Sequence, residues 1–218
     1  MNAKKRREIY ETLKSIYPYP SIELKHSTPF ELLIAVILSS QTTDTSVNNV
    51  LRNIFPIANT PSQFIFLGEK KFAEQIKSIG LYRTKAKNII ATCQLLLNRY
   101  SGEVPETRDA LESLPGVGRK TANILLNSIF GYPTIAVDTH VFRIANRTGM
   151  APGKNVRSVE AALEKFTPKE FKKNAHDWLI LQSRHTCKAK YPECWHCTIK
   201  LLCEFKLKTS EKTYKNTL

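Results

Sequence analysis

The stretch LPGVGRKTAN, Leu114 to Asn123, sets a proline and two glycines between two segments of helical spacing and then places Arg119 and Lys120 where the second segment begins. Glycine is costly inside a helix and the residue before a proline is turned away from helical geometry, so the stretch reads as a turn joining two helices. Gly116 and Gly118 let the backbone come close to a ligand while Val117 packs beneath. A turn of this form presents main-chain amides at a helix start, which is a place to hold an anion. It is not a nucleotide-binding P-loop. Arg119 interrupts the ending that motif requires, and Leu114 stands where its first glycine belongs.

Composition suggests which anion. Of 218 residues, 33 are Lys or Arg and 19 are Asp or Glu, a formal charge of +14. That excess suits a phosphate polymer, although it also serves as a solubilising surface. At 42% apolar residues the chain can bury a core, and its length fits one large domain or two small ones. The start MNAKKRREIY runs into an amphipathic pattern without an apolar leader, and the longest apolar run, 32–38, is too short to span a bilayer. The reading is therefore a cytoplasmic protein with no membrane contact, in which five cysteines are not expected to pair as disulfides.

The spacing is helical nearly throughout. Ile9, Leu13 and Ile16 make a first stripe. In STPFELLIAVIL, Thr28 is a cap, Pro29 takes the first helical position and Glu31 closes a capping box; the residues that follow are apolar on every face and predict a central helix. Further stripes run through Val47, Val50, Leu51 and Ile54, through Phe72, Ile76 and Ile79, and from Ala86 to Tyr100 with Cys93, Leu96 and Leu97 on the buried side. Ala122, Leu125 and Ile129 continue to a break at Gly131, Tyr132 and Pro133. TIAVD is the one strand-like run, and with no partner it reads as an extended connection. Val156, Val159, Leu163 and Phe166 mark one later helix, and Phe171, Ala175, Trp178 and Leu179 the next. The fold class is all-α, ending in a lysine-rich tail from residue 206 that reads as mobile.

Four of the five cysteines, Cys187, Cys194, Cys197 and Cys203, fall together with the spacing C-x6-C-x2-C-x5-C. Four thiols so close imply a metal centre. Structural zinc favours two short-spaced pairs, and only one pair here is close; unequal spacing suits an iron-sulfur cubane, with zinc the alternative. His196 lies inside the run as a competing donor.

The glycine turn, the segment TIAVDTHVFRIANRTG and the cysteine ending together resemble the endonuclease III family of helix-hairpin-helix DNA glycosylases, in its order and with its separations, over roughly residues 4–205. The resemblance implies two helical domains flanking a DNA-binding cleft: a six-helix barrel over 22–131, with its helix-hairpin-helix at about 108–130, and an iron-sulfur cluster domain made of 1–21 and 132–205. It implies a monomeric, nucleoid-associated base-excision repair enzyme. Such an enzyme removes oxidised pyrimidines from double-stranded DNA and cleaves the resulting abasic site, and it carries one [4Fe-4S] cluster on the four cysteines. Chemistry at the sugar needs the nucleotide swung out of the stack, and the gap must then be filled. Gln41 and Leu81 match the family's gap-filling residues, although the residues alone would also allow a helix end at Gln41 and loop packing at Leu81.

Lys120 matches the family's nucleophile. Its place at a helix start, beside Arg119, favours the uncharged amine, and partial burial in a cleft would act the same way. On the residues alone it reads first as a phosphate contact. Asp138 matches the catalytic carboxylate and also precedes a helix start, so it reads as a cap as well. Gly116, Val117, Gly118, Arg119, His140, Lys188 and Lys190 complete the expected DNA contacts. Two rivals stand beside this reading. An adenine-glycosylase relative would carry a glutamate within 32–40, lack Lys120 and extend well past the cysteines. A non-enzymatic DNA-binding module would use the same hairpin without chemistry. The chain departs from the family at Gln182 and Ser183, where a His-Gly pair is usual, and at His185, where a tyrosine is common.

Overall fold

A computed structural model describes residues 1–20 and 23–212 of the chain. Helix α1 (Ala3–Ile16) is followed by α2 (Pro29–Ser39), α3 (Asp44–Ile54), α4 (Pro61–Leu67), α5 (Glu69–Gln75), α6 (Tyr82–Tyr100), α7 (Arg108–Glu112) and α8 (Arg119–Phe130). After an irregular connection come α9 (Thr139–Thr148), α10 (Val156–Phe166) and α11 (Lys172–His185). Among the described residues there is no strand, and Ile135 and Val137 of TIAVD are buried as extended chain. The chain divides into two compact units, Ile22–Gly131 and a second made of Met1–Ser21 with Tyr132–Leu218. Residues 21 and 22, where the expected domain boundary falls, lie outside the described residues.

In the Ile22–Gly131 unit α2 is the axis of the core. Every residue from Phe30 to Leu38 is buried, and α3, α6 and α8 pack around it. Each fully buried Leu or Ile there contributes about 1.5–3 kcal/mol relative to an exposed one. Pro29 opens the helix and Thr28 caps it, its hydroxyl accepting from the Glu31 amide at 3.1 Å. The capping box is not closed as expected: the Glu31 carboxylate accepts from the amide of Ser27 at 2.6 Å and from Asn59 at 3.4 Å. It thus ties the preceding turn and a distant loop together rather than its own cap residue. Phe64 meets Phe30 and Phe72 edge-on, with centroids 5.5 and 5.1 Å apart. Cys93 is fully buried in this core, and burial pushes its thiol up to about 12.

The other unit packs α1, α9, α10 and α11 around Trp178, Leu179, Val141 and Ile144. The inward face of α1 is Arg6, Ile9, Tyr10 and Leu13, while Ile16 is 37% exposed. The difference from the sequence stripe has a physical cause. Tyr10 stacks on Phe171 at 5.5 Å and its hydroxyl meets that of Thr167 at 2.9 Å, so the buried face turns toward Tyr10 as the helix ends. Val156 and Phe166, at the two ends of α10, are likewise exposed, and the Phe166 ring lies under the Arg6 guanidinium at 4.7 Å. Leu97 of α6 is also on the surface.

Candidate functional site

The hairpin between α7 and α8 is built by its glycines. Gly116 has φ +83, a left-handed conformation in which an added Cβ would lie 3.3 Å from Asn88 and Ile37. Leu114 and Val117 are buried beneath it, and the Thr92 hydroxyl of α6 donates to the Pro115 carbonyl at 2.9 Å. Gly118 is the N-cap of α8, so no side chain covers the first-turn amides. Its surroundings are open, with nothing within 4 Å of an added Cβ. Arg119 reaches back to Glu112 of α7 at 3.9 Å, a partly exposed ion pair that contributes little to stability. Lys120 is exposed in the first turn of α8; the protein alone does not bury it.

Two further expected residues of this unit share an unusual backbone. Gln41, just past α2, has φ 55, and Leu81, at the start of α6, has φ 58; both are non-glycine residues in the left-handed region. Leu81 is 59% exposed and Gln41 is exposed. A Cβ added to Gly80 would lie 3.9 Å from the Gln41 carbonyl, so the two tips are close.

In the other unit Asp138 is the N-cap of α9, its Oδ1 accepting from the Val141 amide at 2.8 Å. His140, in the first turn of α9, is partly buried, and Arg143 Nη2 approaches its Nδ1 at 3.3 Å. The His176 ring donates to the Ala136 carbonyl at 2.8 Å and so fixes the extended chain leading to Asp138.

The four cysteines Cys187, Cys194, Cys197 and Cys203 line one small apolar cavity together with Ile144 and Phe205. Two donors are aimed at sulfur: Arg147 reaches Cys187 Sγ at 3.6 Å and the Gln182 amide reaches Cys197 Sγ at 3.4 Å. Burial, and then the charge of the neighbouring thiols, holds Cys197 above the ordinary thiol range; burial does the same for Cys203. Thiols so placed ionise readily only with a cation among them, so the residues fit a thiophilic metal group. Among the described residues no group of three or more His, Cys, Asp or Glu is arranged to hold a single ion. His196 turns instead to Glu193, at 2.8 Å.

The loop after Cys187 is held from α9. Arg143 donates to the Cys187 carbonyl at 2.9 Å, and Arg147 to the carbonyls of Lys188 and Ala189 at 2.6 and 2.8 Å. Lys188 pairs with Glu193 at 2.5 Å, and both Lys188 and Lys190 are exposed. The sequence reading missed both arginines, since nothing in their local pattern marks carbonyls some forty positions away. It noted Gln182 and Ser183 only as departures, and each has a function here. Gln182 bridges the Tyr17 hydroxyl and Cys197, and Ser183 receives Arg143 at 2.5 Å.

A helical hairpin with an uncapped amide-bearing helix start, joined in one chain to a four-thiol cavity, defines a class. Residues 34–169 match the HhH-GPD superfamily of base excision DNA repair proteins. Endonuclease III of Escherichia coli strain K12 is 57% identical over 208 residues, 95% of this chain and 99% of that protein. Endonuclease III of Haemophilus influenzae is 54% identical over the same shares. A solved trapped endonuclease III–DNA covalent intermediate, an estranged-adenine complex, superposes with a TM-score of 0.88 at 43% identity, covering 94% of this chain and 96% of that one. The chain belongs to the endonuclease III family of the HhH-GPD superfamily.

Proposed function

We propose that this chain excises oxidised pyrimidines from duplex DNA with Lys120 as nucleophile and Asp138 as its carboxylate partner in the chemistry. The chain is a base-excision repair enzyme, a DNA glycosylase and abasic-site lyase. The observation that carries the finer reading is the position of Lys120: an amine in the first turn of α8, immediately after the glycine hairpin and exposed to an incoming backbone.

The damaged nucleotide leaves the stack, with Gln41 and Leu81 occupying the gap. The Lys120 nitrogen forms a bond to C1′ as the bond from C1′ to the base breaks, and the base departs with its electron pair and a proton. Ring opening gives a Schiff base; loss of a C2′ proton then expels the 3′ phosphate, and water releases Lys120. Asp138 stabilises positive charge developing at the sugar and accepts or returns a proton there. The covalent intermediate trapped in an endonuclease III 43% identical to this chain supports a bonded step. The hairpin amides at Gly116 and Gly118, together with Arg119, His140 and the loop lysines, grip the backbone without reading sequence, while Val117, whose own amide donates to the Leu114 carbonyl at 3.0 Å, packs beneath them. Both lysines are exposed, and Lys188 is drawn to Glu193.

Cys187, Cys194, Cys197 and Cys203 would hold one [4Fe-4S] cluster, which when bound supplies a rigid scaffold for the basic loop. The enzyme acts as a nucleoid-associated monomer. Among the described residues no helix is long and apolar enough to cross a membrane. Borohydride trapping tests the mechanism: the protein should form a covalent adduct with DNA carrying an abasic site or oxidised pyrimidine, and Lys120→Ala should form none. An adduct that survives this substitution removes Lys120 as the nucleophile. The visible charge-transfer band of an iron-sulfur protein is expected on purification; a colourless protein holding zinc overturns the cluster.

A further inference from the structure

Lys85 is a buried cation that the reaction does not use. It is 5% exposed, and among the described residues its charge meets no carboxylate. An isolated buried ammonium is strongly unfavourable unless every donor is satisfied. Here each of its three N–H groups has an acceptor: the carbonyls of Leu38 at 2.9 Å and Ser40 at 2.6 Å, and the Thr42 hydroxyl at 2.9 Å. Leu38 and Ser40 lie at the C-terminal end of α2, where the helix dipole is negative and a cation is favoured.

Gln41 sits between two of these acceptors. A left-handed conformation at a non-glycine residue is unfavourable and persists only where its surroundings impose it. Gln41 adopts it at φ 55, in a turn closed by Thr42 donating to the Ser39 carbonyl at 3.1 Å. Leu81 has the same unusual backbone, and its carbonyl accepts the main-chain N–H of Lys85 at 3.0 Å. One residue therefore engages both tips, by its side chain at Ser40 and Thr42 on either side of Gln41 and by its backbone at Leu81.

We infer that Lys85 is the positioning residue for gap filling: its ammonium locks the 39–42 turn so that Gln41 is presented beside Leu81 before DNA arrives. This rests on the proposed gap-filling roles of Gln41 and Leu81. Burial lowers the pKa of Lys85, as expected for a cation held by neutral acceptors alone. Preorganisation makes the arrangement useful. A turn already in its bound form loses no conformational entropy when the nucleotide leaves the stack.

A double-mutant cycle tests it, read as single-turnover excision from a damaged duplex and as affinity for undamaged duplex. Gln41→Ala should slow excision about tenfold in the otherwise native protein, and Lys85→Met should slow it similarly while leaving undamaged-duplex affinity unchanged. In the Lys85→Met background Gln41→Ala should have little further effect. A full further tenfold loss overturns the clamp while leaving the gap-filling role of Gln41 intact. No effect of Gln41→Ala in the native background overturns the gap-filling reading and the clamp with it. Should Lys85→Met fail to fold, Thr42→Val, which removes one acceptor from an exposed turn, carries the same cycle with the same outcomes.

Discussion

Asp138 has two functions that a single substitution separates. Its carboxylate caps α9 through the Val141 amide, and it is the proposed partner of Lys120 in catalysis. Asparagine caps a helix as well as aspartate does but carries no charge. Asp138→Asn is therefore expected to keep the thermal midpoint of the native protein while slowing base release by about a hundredfold or more. Asp138→Ala should lose the cap as well, about 1 kcal/mol of stability by calorimetry. An asparagine variant with native turnover would reduce Asp138 to a cap. The sequence made both readings available because cap and carboxylate share a residue and the helix start is visible from THVFRIANR. It could not show that Lys120 stands exposed, since exposure follows from how α8 emerges from its hairpin and not from any local pattern. Lys85 was illegible for a related reason: it borders the apolar stripe of α6, and its acceptors lie more than forty positions earlier.

At the scale of elements, the hairpin depends on one backbone conformation. Gly116→Ala imposes a left-handed φ on an L-residue and brings its Cβ to 3.3 Å from Asn88 and Ile37, so the turn is strained and those side chains must give way. The expected result is duplex affinity weakened about tenfold, equivalent to about 1.4 kcal/mol, with helix content by circular dichroism unchanged. Unchanged affinity would mean that the turn amides do not grip the backbone. Long, strongly periodic helices were readable: α2 from its cap, its proline and its unbroken apolar run, and α6 from a stripe of several turns. Short ones were not. Helix α4 has only seven residues, too few for a period to emerge, although Thr60 and Pro61 are a valid start signal. Errors of facing at Ile16, Val156 and Phe166 all fall at helix ends, where the neighbouring element rather than the period decides which side is covered.

Over the whole molecule, the basic tail combines charge with a link to the cysteine loop. A mobile end is expected from residue 206 onward; residues 213–218 lie outside the described ones. Before them, Thr209 is bonded to the cysteine loop. The Thr209 hydroxyl accepts from the Cys194 amide at 3.3 Å and donates to the Pro192 carbonyl, and Lys208 donates to the Phe205 carbonyl at 2.9 Å. Charge and anchoring can thus be tested apart. Lys206→Gln with Lys208→Gln should reduce the slope of log affinity against log salt, by about 0.9 per lost phosphate contact, and leave the visible band intact. Thr209→Val should leave that slope alone and speed bleaching of the band under a chelator. An unchanged slope in the first variant would deny the tail any part in binding DNA.

The order of the units along the chain also has a consequence for synthesis. The Ile22–Gly131 unit is one uninterrupted segment, complete once residue 131 has left the ribosome, whereas α1 packs on α11 and must wait for it. At about 5–20 residues per second that delay lasts many seconds, during which Ile9, Tyr10 and Leu13 have no native partner. The thiols of Cys187, Cys194, Cys197 and Cys203 emerge later still, after α11 has given the first helix its partner.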